Sequence, residues 1–192
     1  MPKIDLRGIK VAEYTNTSGT ITYGTAKSAG DAMGVNLAMK FAEGRLYAES
    51  TLAEYIKKAT GGTISVAVKY LPDDVQQLLF GSTAKTRTVA TKSISSLVTG
   101  AKNVGKAVGV VFYAPDMIDG VEKYTAVFIS RAIFGAPAMN FQTQGENIVF
   151  QTPTTTGEFM ADHSTNQQMM EVAVCDTEAD AKAWCNAVIG AT

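Results

Sequence analysis

Cysteine, histidine and tryptophan are scarce in this sequence: two, one and one in 192 residues. Cys175 and Cys185 are too few for the disulfide framework of a small secreted domain. With no C-x-x-C and no second histidine, they also do not spell a zinc site. His163 would have to serve any Ser–His–Asp triad, yet there is no G-x-S-x-G elbow to present the serine. Charge is sparse too. Charged residues make up 18%, below the usual quarter or so, a composition that suits a surface partly covered by neighbours and equally a monomer with a polar Thr/Ser/Asn/Gln surface. A formal net charge of -1 excludes a protein that grips nucleic acid through a general excess of Lys and Arg. No run of about twenty apolar residues exists, so no transmembrane helix is expected. Met1–Asp5 lacks the apolar stretch of a signal peptide, and the chain is expected to be cytosolic when made, with both thiols reduced.

What is present is alternation, the mark of half-buried strands. Thr63–Lys69 places Ile64, Val66 and Val68 on one face, between the breakers Gly62 and Pro72. Ala107–Ala114 is β-branched and aromatic, Pro115–Gly120 turns the chain, and Tyr124–Ile133 answers it, which predicts a hairpin. Further strands are expected at Ile9–Tyr14, Thr20–Tyr23, Gly34–Phe41, Leu46–Ala48, Asn147–Thr152 and Met169–Cys175. Two helices are predicted. Asp73–Phe80 follows Pro72, carries acids in its first turn and ends at Gly81. A second, Glu178–Ile189, is N-capped by Asp176 or Thr177, with an apolar stripe in which Trp184, Val188 and Ile189 are expected to pack on the sheet. The fold class is therefore mainly β with flanking helices (α+β), an antiparallel sandwich or barrel with the C-terminal helix on the sheet. One domain, residues 1–192, is expected, with long loops at about 41–62 and 82–105.

The search for chemistry returns little. Gly100–Ala107 (GAKNVGKA) nearly spells a phosphate-binding loop, but Ala107 replaces the hydroxyl that would hold magnesium, and a strand follows where a helix is needed. The acids Asp73, Asp74, Asp176, Glu178 and Asp180 lie in first turns of helices, where capping accounts for them. Tyr113, Tyr124, Phe128 and Phe134 fit a β core better than a platform for bases. No catalytic, metal or cofactor-binding residue is assigned, and the chain is not read as an enzyme. Charge is unevenly placed. Val75–Pro115 holds no acid but contains Lys85, Arg87, Lys92, Lys102 and Lys106, while acids outnumber bases from Asp116 onward.

Several segments carry a family likeness. They are Ile21–Lys27, Arg45–Glu54 (RLYAESTLAE) with its Leu-Tyr-Ala-acid run, the Gly pair before Thr63–Lys69, and the short helix after Pro72. Later come Val108–Ala114, Tyr124–Gly135 and Phe141–Gly157 (FQTQGENIVFQTPTTTG). In order and spacing, over roughly Ile9 to Met160, the chain resembles the major tail protein (tail tube protein) family of long-tailed, non-contractile bacteriophages. The resemblance implies a virion protein with a β-sandwich or barrel subunit, forming rings, typically hexameric, that stack into a hollow tube. Strands of each subunit would join a continuous inner β-barrel, and a long loop would reach the neighbouring subunit or ring. That loop is placed at Phe41–Gly62, with Leu46, Tyr47, Glu49, Leu52 and Tyr55 as its contact residues. Implied partners are other copies of the chain, a tape-measure protein and tail-end completion proteins, with phage DNA passing through the lumen without specific binding. No membrane partner and no cofactor are implied. The implied location is the virion tail, and the host cytoplasm during assembly. A basic lumen would hold DNA, so Lys85–Lys106 is not expected to line the bore. This basic stretch, Ser82–Gly105, is longer than the family pattern. Two other readings stay open: a tube protein of a contractile tail or injection machine, and a monomeric β-sandwich module that binds carbohydrate or peptide.

Overall fold

The predicted hairpin at the centre of the chain is the centre of the molecule. A computed structural model describes residues 5–139, 143 and 152–190. In it β8 (Val108–Ile118) and β9 (Val121–Phe134) pair antiparallel along almost their whole length. They are joined by Asp119-Gly120, both at positive φ (51° and 79°), the two-residue turn that matches strand twist. From β8 the sheet continues to β1 (Arg7–Thr17), which carries β2 (Thr20–Tyr23) and β3 (Lys27–Ser28).

The other edge of β9 is divided. Its first half, Tyr124–Ile129, pairs with β11 (Met170–Cys175). Its end, Ala132–Phe134, pairs with β10 (Thr154–Phe159). β10 then hands the sheet on to β5 (Thr51–Val68) and β4 (Ala32–Ala48). Gly157, between Phe134 and Ile64 in the ladder, is buried where a Cβ would strike the Ile133 carbonyl and the Phe134 ring. Only glycine lets the strands approach this closely.

β4 stands four places from β8 in sheet order, about 19 Å in a flat sheet. Yet Val35 and Leu37 of β4 share a cleft with Phe112 of β8 and Val127 of β9. The sheet therefore curls over on itself into two layers. Alternation then sorts the core. Val108, Val110 and Phe112, with Val127 and Ile129, face Ile64, Val66 and Val68 of β5 and one face of α1 (Asp73–Phe80). Val111, Tyr113, Ala126 and Phe128 face the opposite way, against α2 (Glu178–Val188). β8 and the middle of β9 are buried on both sides, as a strand between two layers must be. The molecule is mainly β, antiparallel, with a flanking C-terminal helix.

The helices follow their sequence signals. α1 occupies Asp73–Phe80 and stops at Gly81, whose φ of 66° is the left-handed cap. In α2 the N-cap is Thr177, whose side chain accepts the Asp180 amide at 3.1 Å. Ala181, Cys185 and Ile189 are its buried spine at i, i+4 spacing, and Trp184 and Val188 flank it half-buried.

Both expected long loops are instead hairpins. The 41–62 segment belongs to one strand pair, β4–β5, and the separate expectations at Gly34–Phe41 and Leu46–Ala48 fuse into β4. Its turn is Glu49-Ser50, at φ 50° and 65°. This is the conformation favoured by Asn-Gly, adopted by residues that give no such signal in sequence. The 82–105 segment contains β6 (Thr83–Val89) and β7 (Lys92–Val98), a separate two-stranded sheet with Ala90 at φ 54° in its turn. Mixed charge and Ser/Thr content hid both. The expected strand Asn147–Thr152 lies outside the described residues up to its last position, as does most of the Phe141–Gly157 segment.

Candidate assembly surfaces

The distal part of β4–β5 is an arm. Every residue from Phe41 to Lys58 is exposed, and eight residues of strand per side reach about 25 Å. A hairpin that buries none of its own surface is marginal alone in water, and this one carries large apolar side chains. Phe41, Leu46, Tyr47, Leu52, Tyr55 and Ile56 are all exposed, Tyr47 at 61% and Ile56 at 65%. The five residues expected as contacts, Leu46, Tyr47, Glu49, Leu52 and Tyr55, all fall on this arm, with Glu49 in its turn. Phe41 and Ile56 were missed, because they lay outside the Leu-Tyr-Ala-acid run.

Register sorts the arm into two faces. Phe41, Glu43, Arg45 and Tyr47 lie opposite Ala59, Lys57, Tyr55 and Leu52. On this face Glu43 lies 3.2 Å from Arg45 and 3.3 Å from Lys57, while Arg45 stacks over Tyr55 and Lys57 over Phe41. Hydrogen bonding from Tyr55, then from Lys57, holds the Glu43 carboxyl below its usual range. The network stiffens the arm and leaves the aromatic rings on show. The opposite face, with Leu46 and Ile56, carries no such network.

The second exposed hairpin, β6–β7, has one charged and one uncharged face. Lys85, Arg87 and Val89 lie opposite Ser96, Ile94 and Lys92. Ala84, Thr86 and Thr88, opposite Leu97, Ser95 and Ser93, make up the other side. None of Lys85, Arg87 and Lys92 has an ion-pair partner among the described residues, and Val89 and Ile94 are exposed beside them at 56% and 51%. The hairpin is fixed at its root: the Ser82 and Thr99 hydroxyls are 2.7 Å apart, and Asn103 donates to the Gly81 carbonyl at 2.8 Å.

A third row of exposed apolar residues lies along β11. Met170, Val172 and Val174 pair with Ile129, Val127 and Thr125, so they share the face that β5 covers elsewhere. Here that cover is incomplete. A cleft of about 560 Å³ opens between Met33 and Val35 of β4 and Phe112, Ala114 and Val127. Strands β2, β4 and β11 each have one edge without a partner among the described residues.

The sequence candidates for chemistry do not assemble. Lys106, in the Gly-Lys segment, is salt-bridged to Glu13 at 2.7 Å, and the strand β8 follows two residues later. Gly105 is required there because a Cβ would overlap the Leu79 carbonyl. His163 is exposed but held, its Nδ1 2.9 Å from the Tyr14 hydroxyl and its Nε2 3.3 Å from Arg131. Ser164 donates to Asp162 rather than to His163, so the three residues form a loop clamp and not a relay. Burial pushes the Cys185 thiol up to about 11, away from the range of a reactive nucleophile. Among the described residues, no group of three or more His, Cys, Asp or Glu is placed to hold a metal ion, and no helix is long and apolar enough to cross a membrane. No protein-family model matches the chain, and no curated protein matches it.

Proposed function

We propose that this chain is a structural subunit that assembles with copies of itself into stacked rings, forming the tube of a long phage tail. The observation that carries the reading is the β4–β5 arm. Six large apolar side chains stand exposed on a projecting hairpin, far more apolar surface than a solitary soluble domain keeps in one place. The sequence likeness to tail tube proteins covers the arm and the β8–β9 core. The edges of β2, β4 and β11, without a partner among the described residues, give neighbouring copies ladders to continue. Head-to-tail contacts between unlike surfaces build rings when they close and filaments when they do not. In this reading the ring is hexameric, the tube forms around a tape-measure protein, and DNA crosses the lumen without sequence-specific contacts.

Electron microscopy of concentrated, tag-free protein tests this. Hollow tubes or rings of uniform width are expected. Monodisperse single particles across salt and concentration, even with initiator proteins of the tail tip added, overturn it. One observation favours a second reading. Phe41, Tyr47 and Tyr55 share one face of the arm, and an exposed aromatic row is what a monomeric glycan- or peptide-binding module presents. Single particles that bind a glycan or peptide through that face would establish it.

A further inference from the structure

β8 connects two ends of opposite charge. Its first residue, Val108, follows the root of the β6–β7 hairpin, whose Lys85, Arg87 and Lys92 have no ion-pair partner among the described residues and share one face. Its far end, eleven residues and about 35 Å away, is the Asp119-Gly120 turn. Around that turn lie Asp116, Asp119 and Glu122, with Asp176 beside Lys123 at the entry to α2. Lys123 is already spent on Asp176 at 2.7 Å, and among the described residues Glu122 accepts only the Tyr124 hydroxyl. Asp116 is 3% exposed, and its Oδ1 has no hydrogen-bond partner among the described residues. A buried carboxylate oxygen left unpaired is costly, and the acids that a neighbour's cation can reach at this end are Asp119 and Glu122.

Apolar exposure follows the same division. Val89 and Ile94 stand beside the cations of the hairpin, and Met117 and Val121, at 46% and 58%, stand beside the acids of the turn. Both ends thus offer an apolar patch ringed by charge, of opposite sign at the two ends. A molecule whose opposite ends are complementary matches a second copy of itself, placed head to tail.

The geometry points to an axial contact between copies, in which the charged face of β6–β7 on one subunit seats on the β8–β9 turn of the next. The partner is a second copy of this chain. The inference rests on the tube reading and assigns it a stacking surface. It also gives a role to the basic stretch that exceeds the family pattern. Neutralising the hairpin cations against an acidic neighbour keeps them off the lumen.

The test uses two variants of the full chain. K85E/R87E/K92E makes both ends acidic, and D119K/E122K makes both basic. All five positions are exposed, but Asp119 stands at positive φ in its turn, where lysine is less favoured, so thermal melts should match the wild type for the first variant and show a modest loss, with folding retained, for the second. Association is read by sedimentation velocity and electron microscopy. Each variant alone is expected to lose stacking, with tubes reduced at least about tenfold. An equimolar mixture is expected to restore tubes, because each basic end then meets an acidic one. Wild-type tubes should also shorten as salt rises. Wild-type tubes with unaltered tubes from both variants overturn this contact and leave the tube reading standing. A mixture that fails to recover while each variant remains folded overturns it as well. Wild-type protein that never associates overturns both readings. Loss of binding to duplex DNA by the first variant, with stacking intact, transfers the hairpin to a nucleic-acid partner and also overturns the contact.

Discussion

Ile189 and Trp184 lie on the same helix, but the sheet takes them differently. Ile189 is fully buried and continues the Ala181–Cys185 spine in the cluster that includes Phe128. Trp184 lies at the side of that spine, half in water. Truncation to alanine therefore separates them. Ile189→Ala should cost roughly 2–5 kcal/mol, the loss for a buried side chain that leaves a cavity. Trp184→Ala should cost about 2 kcal/mol, roughly half the cost for a buried tryptophan. Denaturant melts of the two variants check the order, and a larger loss at Trp184 contradicts it. The sequence placed Trp184, Val188 and Ile189 on one stripe, which the helix period makes legible. It did not rank them, because the rank depends on where the sheet ends. Cys185 tells the same story: a small apolar residue on the stripe, with a thiol Sγ 3.8 Å from the Phe112 carbonyl.

At the scale of elements, the arm has no part in the core. Lys40 and Gly61 pair at its base, and everything beyond them is exposed up to Lys58. Replacing residues 41–60 by Asn-Gly should therefore leave a folded monomer, with a melting temperature within about 3 °C of the wild type. That variant should form no tubes. Normal tubes from it would remove the arm from the assembly. The elements of the core were legible: the β8–β9 hairpin, both helices, and the alternation of Ile64, Val66 and Val68 are local patterns. The two exposed hairpins were not. The β4–β5 arm mixes apolar and charged residues on one face, β6–β7 alternates between a charged and a Ser/Thr-rich face, and neither turn has a glycine. β10 was also missed, since Thr154–Phe159 is mostly threonine around Gly157, the glycine that its close approach to β9 needs, and shows no apolar alternation.

For the whole molecule, stability should fall from the centre outward. β8 and β9 are covered on both faces, paired on both edges, and closed by a tight turn. Among the described residues the arms have neither cover nor a second partner strand. Amide hydrogen exchange on unassembled protein should be slowest in β8 and β9 and fastest beyond Phe41 and Thr83. In assembled protein the arm amides should become protected, and unchanged arm exchange would mean the arms stay in water. What sequence conveyed at this scale was the class, mainly β with a C-terminal helix. The curling of the sheet was not legible, because it depends on β9 sharing one edge between β10 and β11, a long-range pairing without local signature.

That shared edge has a consequence for how such a chain can change over generations. Inserting one residue between Ile129 and Ala132 would slip Ala132–Phe134 against β10 while β8 and β11 hold the part of β9 before it, so the inward side chains of that end would turn outward. Such a lineage would lose its fold in a single step. The hairpin arms answer to one register only, their own. Adding two residues to each strand of β4–β5 lengthens the reach by about 7 Å and leaves both faces as they were. Length is thus inheritable in the arms and forbidden at the branch, so related chains should differ by even-numbered insertions near Glu49-Ser50 and by none along β9.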